Sequence, residues 1–224
     1  MFDENHENNI EQVIVERPED EILLHICCAP CAEYPLKALR EEGFKVEGFF
    51  VNPNIHPQEE HEKRLENVRI FSEIKNIKIE VDTLYQEDRW RAFPTESKQA
   101  HCLSCYSLRM ELAARFAAAN GYQTFTTALL VSPWQNHEAI VRAGEAAAKR
   151  HGIKFLVRDF RDGYREGQEM AKEDGLYRQK YCGCIYSLGE TNPKFRDRYL
   201  KEFNLELDDL PTRVDDMTII KNRS

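Results

Sequence analysis

The chain has 224 residues, enough to bury a core without disulfide staples, and no apolar run approaches the ~20 residues of a membrane span. A net charge of −8 argues against a uniformly basic nucleic-acid binder, and the acidic, polar opening MFDENHENNIEQ is the opposite of a secretory leader. The expectation is a cytoplasmic protein with no membrane partner, in which thiols stay reduced; seven cysteines, an odd number, also fit a closed disulfide framework poorly.

In chain order, Glu21–Ile26 reads as a buried strand and Ala32–Glu42 as a helix stopped by Gly43. Lys45–Val51 is the next strand, ended by NPNIHP, and Gln58–Lys75 is a polar helix with Leu65, Val68 and Phe71 on one face. Ile77–Val81 alternates like a strand, Ser104–Asn120 is a strong helix, and Thr124–Leu130 is a strand. An Ala-rich helix over Glu138–His151 ends at Gly152, followed by a fifth strand over Ile153–Val157, a helical or looped excursion over Phe160–Cys184, and a last helix over Pro193–Phe203. This alternation predicts a single α/β domain over 18–205, a Rossmann-like five-stranded parallel sheet with helices on both faces and a C-terminal helical excursion. Residues 1–17 and 206–224 read as terminal arms.

The cysteines fall in three tight clusters: Cys27, Cys28 and Cys31 in HICCAPC, Cys102 and Cys105 in HCLSCY, and Cys182 and Cys184 in YCGC. Buried structural cysteines scatter; clustered ones suit a metal or iron–sulfur centre, because each short segment delivers several thiolates. The first cluster follows strand one, and topology lets the other two reach the same sheet edge, where ligands of such folds sit.

Cys27 and Cys28 occupy the turn where a phosphate loop would lie, but it has no glycine, which speaks against ATP binding. Side chains alternate along a strand, so two adjacent thiols would reach different atoms of a cluster or two metals. Cys102-Leu-Ser-Cys105 is a CxxC at a helix start, where the dipole favours thiolates; its rivals are a thioredoxin-like pair and a zinc knuckle. Cys182-Gly-Cys184 is tight enough for a strained, labile disulfide or the clasp of one metal, with Gly183 supplying backbone freedom.

Asp159, at the expected end of strand five, reads as an N-cap or a partner of Arg161 or Arg158 ahead of metal ligation. His25 reads as a hydrogen-bonded core histidine, and His101, beside Cys102, is a candidate ligand or proton donor. Residues 1–20 hold seven acids against one Arg, whereas residues 141–201 hold fourteen Lys or Arg against nine acids. The acidity sits at the ends. The segment around Arg158, Arg161, Arg165, Arg178 and Lys180 is either a solvated mixed-charge surface or a phosphate-contacting face. Trp134, Tyr164, Tyr177, Tyr181 and Tyr186 are aromatics near it that either pack or stack a flipped base.

Four blocks, LLHICCAPCA, HCLSCYSLRM, TTALLVSPWQN and GLYRQKYCGCIYS, in this order from about Ile22 to Ser187, resemble the cobalamin-independent epoxyqueuosine reductases of the QueH type. The resemblance implies a tRNA-modifying oxidoreductase for the last step of queuosine synthesis, reducing an epoxide on the cyclopentane ring of the wobble nucleoside to the alkene with loss of water. It implies a [4Fe–4S] cluster held by Cys27, Cys28, Cys102 and Cys105, with Cys182 and Cys184 as a redox-active pair or ligands of a second metal, an iron. Cys31 is left without a role. His101, Asp159 or a tyrosine would protonate the leaving oxygen, and an unidentified donor would supply electrons. A more distant likeness to the PP-loop tRNA-thiolating enzymes supports a HUP-like fold. Their Ser-Gly-Gly-x-Asp-Ser loop is replaced here by Cys-Cys-Ala-Pro-Cys-Ala, against adenylation chemistry. The alternative readings are a PP-loop-like tRNA sulfur transferase and a non-catalytic, zinc-dependent RNA-binding protein.

Overall fold

The structure is a computed structural model and describes residues 16–83, 85, 98–203 and 205. Residues 1–15 and 206–224, which make up most of the two expected arms, lie outside the described residues. The elements are β1 Glu21–Ile26, α1 Ala29–Glu41, β2 Lys45–Val51, α2 Gln58–Lys75, β3 Ile79–Asp82, α3 Lys98–Ala119, β4 Thr124–Thr127, α4 His137–His151, β5 Lys154–Phe155, α5 Tyr164–Glu173, α6 Ile185–Gly189 and α7 Pro193–Glu202.

The five strands form one parallel sheet in the order β3-β2-β1-β4-β5. β1 and β2 are apolar on both faces, as a central parallel strand must be, with Ile22, Leu23, Leu24, Ile26, Phe49 and Phe50 all buried. α1 packs on α2 and α5, and α3 on α4, as in two helical layers about a parallel sheet. The α3–α4 side is close because Ala113, Ala114, Ala117, Ala139, Ala147 and Ala148 are all buried. Chain order reverses between β1 and β4, so the crevice at their carboxyl ends is where this architecture opens a site.

β1, β2 and α2 span the residues the sequence predicts, α4 and α7 do so to within one residue, β5 shrinks from the expected Ile153–Val157 to Lys154–Phe155, and α1, α3, β3 and β4 differ for local reasons. α1 begins at Ala29, not Ala32, because Pro30 suits a first turn and Cys28 serves as the N-cap. α3 begins at Lys98, so Cys102 and Cys105 lie in its second turn and not at its start, beyond the first turn where the dipole acts. β3 starts at Ile79, since α2 ends on a left-handed Asn76 and Ile77 N donates back to Ser72 O. β4 stops at Thr127, whose side chain accepts from Leu129 N and turns the chain into a 3-10 segment over Ala128–Val131.

A second, smaller apolar cluster of Tyr181, Cys184, Tyr186, Leu188, Tyr199 and Leu200 seats the C-terminal segment. Among the described residues, no helix is long and apolar enough to cross a membrane.

Candidate active site

All seven cysteines line one cavity of about 470 Å³ at the switch point. Cys27 and Cys28 leave β1 as the chain turns into α1, Cys102 and Cys105, three residues apart, project from one face of the second turn of α3, and Cys182 and Cys184 come from the loop after α5. The convergence expected from topology is present.

The first cluster is tighter than the sequence reading allows. The chain has left the strand at Cys28, so alternation no longer separates the neighbours, and their sulfurs are 3.8 Å apart. Cys31, in the first turn of α1, joins them: the three sulfurs lie within 4.8 Å of one another. Gln179 Nε2 donates to Cys28 Sγ at 2.7 Å and lies 3.7 Å from Cys31 Sγ. Burial opposes ionisation of Cys28, but its hydrogen bonds with Cys27 and Cys31 and the nearby Arg64 charge outweigh it and hold the thiol well down. Cys27, bonded to Cys28, and Cys31, bonded to both neighbours, are pushed up.

Behind Cys105 stands a buried relay. Arg109 Nε donates to Asn54 Oδ1 at 3.0 Å, and Asn54 Nδ2 donates to Cys105 Sγ at 3.2 Å. Burial raises the Cys105 thiol, with Arg109 pulling the other way.

The Cys182-Gly183-Cys184 turn is held at every carbonyl that flanks its thiols. Arg64, 2% exposed, donates to Tyr181 O and Cys182 O at 3.1 Å each, and its Nε pairs with the fully buried Glu60 at 2.7 Å. His56 N donates to Gly183 O at 2.7 Å. Glu60 Oε2 accepts from both Tyr177 and Tyr199 hydroxyls at 2.9 Å, while Tyr181 OH donates to His56 O at 2.5 Å. Gly183 has φ +108°, and a Cβ there would lie 2.8 Å from the Arg64 guanidinium, so glycine is required on both counts.

The two thiols of this turn differ. Cys182, hydrogen-bonded to Cys184, 2.9 Å from Ser187 Oγ and facing Arg109, is pulled down to about 5. Cys184 is raised by its burial and by the Cys182 charge, and its sulfur lies 3.2 Å from His101 Nε2. His101 is itself buried, with its ring edge-on to Tyr186 at 4.1 Å.

Of the other expected site residues, Asp159 is not brought to the cavity. It lies outside the lining, about half exposed, with Arg161 gripping both carboxylate oxygens and holding the group down to about 2. His25 is a core histidine, bonded to Thr127 Oγ1 at 2.7 Å and Val51 O at 3.2 Å, its pKa lowered to about 3 by burial. Arg158 and Arg161 are committed to Glu42 and Asp159, whereas Arg178 and Lys180 are exposed on the cavity lining. Tyr164, Tyr181 and Trp134 line the cavity; Tyr177 and Tyr186 do not. Arg64, Arg109, Asn54 and Gln179 were not foreseen.

The residues fit a sulfur-bound metal group: Cys27, Cys28 and Cys31 bring their sulfurs within 4.8 Å of one another, the other four thiols line the same cavity, and Arg64 and Arg109 stand in that lining to offset thiolate charge.

Residues 22–190 match the family Epoxyqueuosine reductase QueH. The chain belongs to that family, whose named members are oxidoreductases. An epoxyqueuosine reductase QueH of Dehalococcoides mccartyi is 37% identical over 166 residues, covering 74% of this chain and 91% of that protein. Proteins of the same name from Acinetobacter baylyi and Thermotoga maritima are 38% and 35% identical over 182 residues each, covering 77% of this chain and 83% and 93% of theirs.

Proposed function

We propose that this chain reduces epoxyqueuosine to queuosine at the wobble position of tRNA, with a [4Fe–4S] cluster on Cys27, Cys28, Cys102 and Cys105 and a redox-active pair at Cys182 and Cys184. The observation that carries the reading is the convergence of all seven cysteines on one cavity in a chain of this family. The cluster, when bound, supplies electrons one at a time.

The rest is work for side chains. Removing an epoxide oxygen as water takes two electrons and two protons. Oxidation of the pair to one disulfide supplies the two electrons, the Cys184 thiol supplies one proton and solvent, through His101, the other: the two C–O bonds break, the alkene and water form, and the Cys182–Cys184 bond is made. An unidentified donor then returns the electrons. Cys182, the low thiol, is the nucleophilic partner; Cys184 keeps its proton and stands 3.2 Å from His101, which makes His101 the residue for protonating the leaving oxygen. Asp159, gripped by Arg161, has no part in this step. Arg178 and Lys180 supply phosphate contacts at the cavity mouth, in an aqueous compartment where tRNA is found.

The test is anaerobic purification, iron and sulfide analysis, and an assay on tRNA containing epoxyqueuosine. Conversion to queuosine without ATP is expected. Cluster-loaded protein that leaves the epoxide untouched with a chemical reductant present would sink the proposal.

A further inference from the structure

Trp134 is 83% exposed, while the next most exposed large apolar residues among those described, Ile74 and Val157, stand at 46%. An indole left in water forgoes the burial that normally stabilises it, so its position invites an explanation. It lies in the lining of the cysteine cavity, in the segment between β4 and α4.

The backbone beneath it is fixed on both sides. Ala128–Val131 are buried, Trp134 N donates to Ser132 Oγ at 3.3 Å, and Gln135 N donates to Ser132 O at 3.4 Å. Tyr106 OH donates to Gln135 Oε1 at 2.7 Å and accepts from Asn136 N at 3.3 Å, and Asn136 caps α4 through Ala139 N at 3.0 Å. The ring is therefore a free face on an anchored segment. The same lining carries the exposed Arg178 and Lys180, neither with an ion-pair partner among the described residues.

An aromatic face and unpaired cations on one cavity lining are the composition of a single-strand nucleic-acid site: the ring takes a base and the cations take its phosphates. A protein-docking patch would instead surround the indole with further apolar surface, and none of the other exposed large apolar residues lines this cavity. The cavity, about 470 Å³, is of the size that holds one small ligand. It admits one nucleoside and leaves its neighbours in the chain outside, at the rim where the indole stands.

We infer that Trp134 is a stacking platform for the anticodon-loop base next to the nucleoside that enters the cavity. The inference rests on the tRNA reading above.

It is tested with an anticodon stem-loop RNA carrying 2-aminopurine beside the wobble position, bound to cluster-loaded protein. Wild type should quench the probe on binding. Trp134→Ala should bind about 5- to 150-fold more weakly, the cost of one lost base–aromatic stack, and leave the bound probe bright. Trp134→Phe should restore both signals, and Trp134→Leu, apolar without a π face, should restore neither. The salt slope should not change in any of them, since the indole carries no charge, and iron content should stay at the wild-type level. Equal affinity and equal quenching in Trp134→Ala and wild type overturns the inference while leaving the tRNA reading intact. So does a Trp134→Ala protein that binds RNA normally but turns over slowly only with a protein electron donor and not with dithionite. A wild-type protein that binds no RNA at low salt overturns the tRNA reading and the platform with it.

Discussion

Arg64 and Arg178 line the same cavity, yet they live under different rules. Arg64 is buried, pairs with Glu60 and donates to two carbonyls of the CxC loop. Arg178 is exposed and has no ion-pair partner among the described residues. One charge is fully committed inside the protein and fixes geometry; the other is available to a ligand. The floor, with its cysteines, Arg64, Arg109 and Asn54, is a satisfied polar network that is costly to disturb. The rim, with Trp134, Arg178 and Lys180, is left incomplete.

The comparison predicts graded effects. The largest belong to the floor thiols. Ser at Cys27, Cys28, Cys102 or Cys105 should strip iron and sulfide and abolish turnover, and full iron content in all four would move the centre elsewhere. Cys31→Ser should keep its iron, because the four proposed ligands already fill the four iron sites of the cluster; loss of iron there would make Cys31, which sits with Cys27 and Cys28, a ligand in place of one of them. Cys182→Ser or Cys184→Ser should stay brown and lose turnover, whereas colourless protein would make the pair cluster ligands.

Next comes Arg64→Met, which leaves Glu60 buried without its cation and two carbonyls without a donor. Urea unfolding should show a loss of about 3–5 kcal/mol. A loss within about 0.5 kcal/mol, the usual range for surface changes, would mean that the pair is open to water. Gly183→Ala should cost less stability than this while still lowering turnover, since its Cβ presses on the guanidinium from the loop side.

The smallest effects are at the rim. Arg178→Ala and Lys180→Ala should each weaken tRNA binding and flatten its salt dependence by about one unit per phosphate contact, with cluster content untouched. Lower thermal stability with an unchanged slope would place these residues with the floor.

The sheet, its alternating helices and the meeting of the three cysteine clusters were legible, because periodicity and chain order carry them. The floor was not. Glu60 and Arg64, spaced i,i+4 in a polar helix, have the pattern of a solvated surface pair, and nothing local says that α7 and the Tyr177–Cys184 segment cover them. The Cys31 contact was missed because the reading started α1 three residues late. Asp159 was placed at the site edge by strand position, but β5 has only two residues, and the chain beyond it turns Asp159 outward to Arg161.

The cysteine clusters are separated by roughly seventy to eighty residues each, and this spacing sets an order of events as the chain folds. Closing loops of that length has an entropic cost that must be met before any ligand spanning them can repay it. The apolar core around β1, β2, β4 and the alanine seam of α3 and α4 contains the groups that can meet it without a prosthetic group. Metal-free protein is therefore expected to keep its fold, with a far-UV circular dichroism spectrum unchanged from that of the loaded protein.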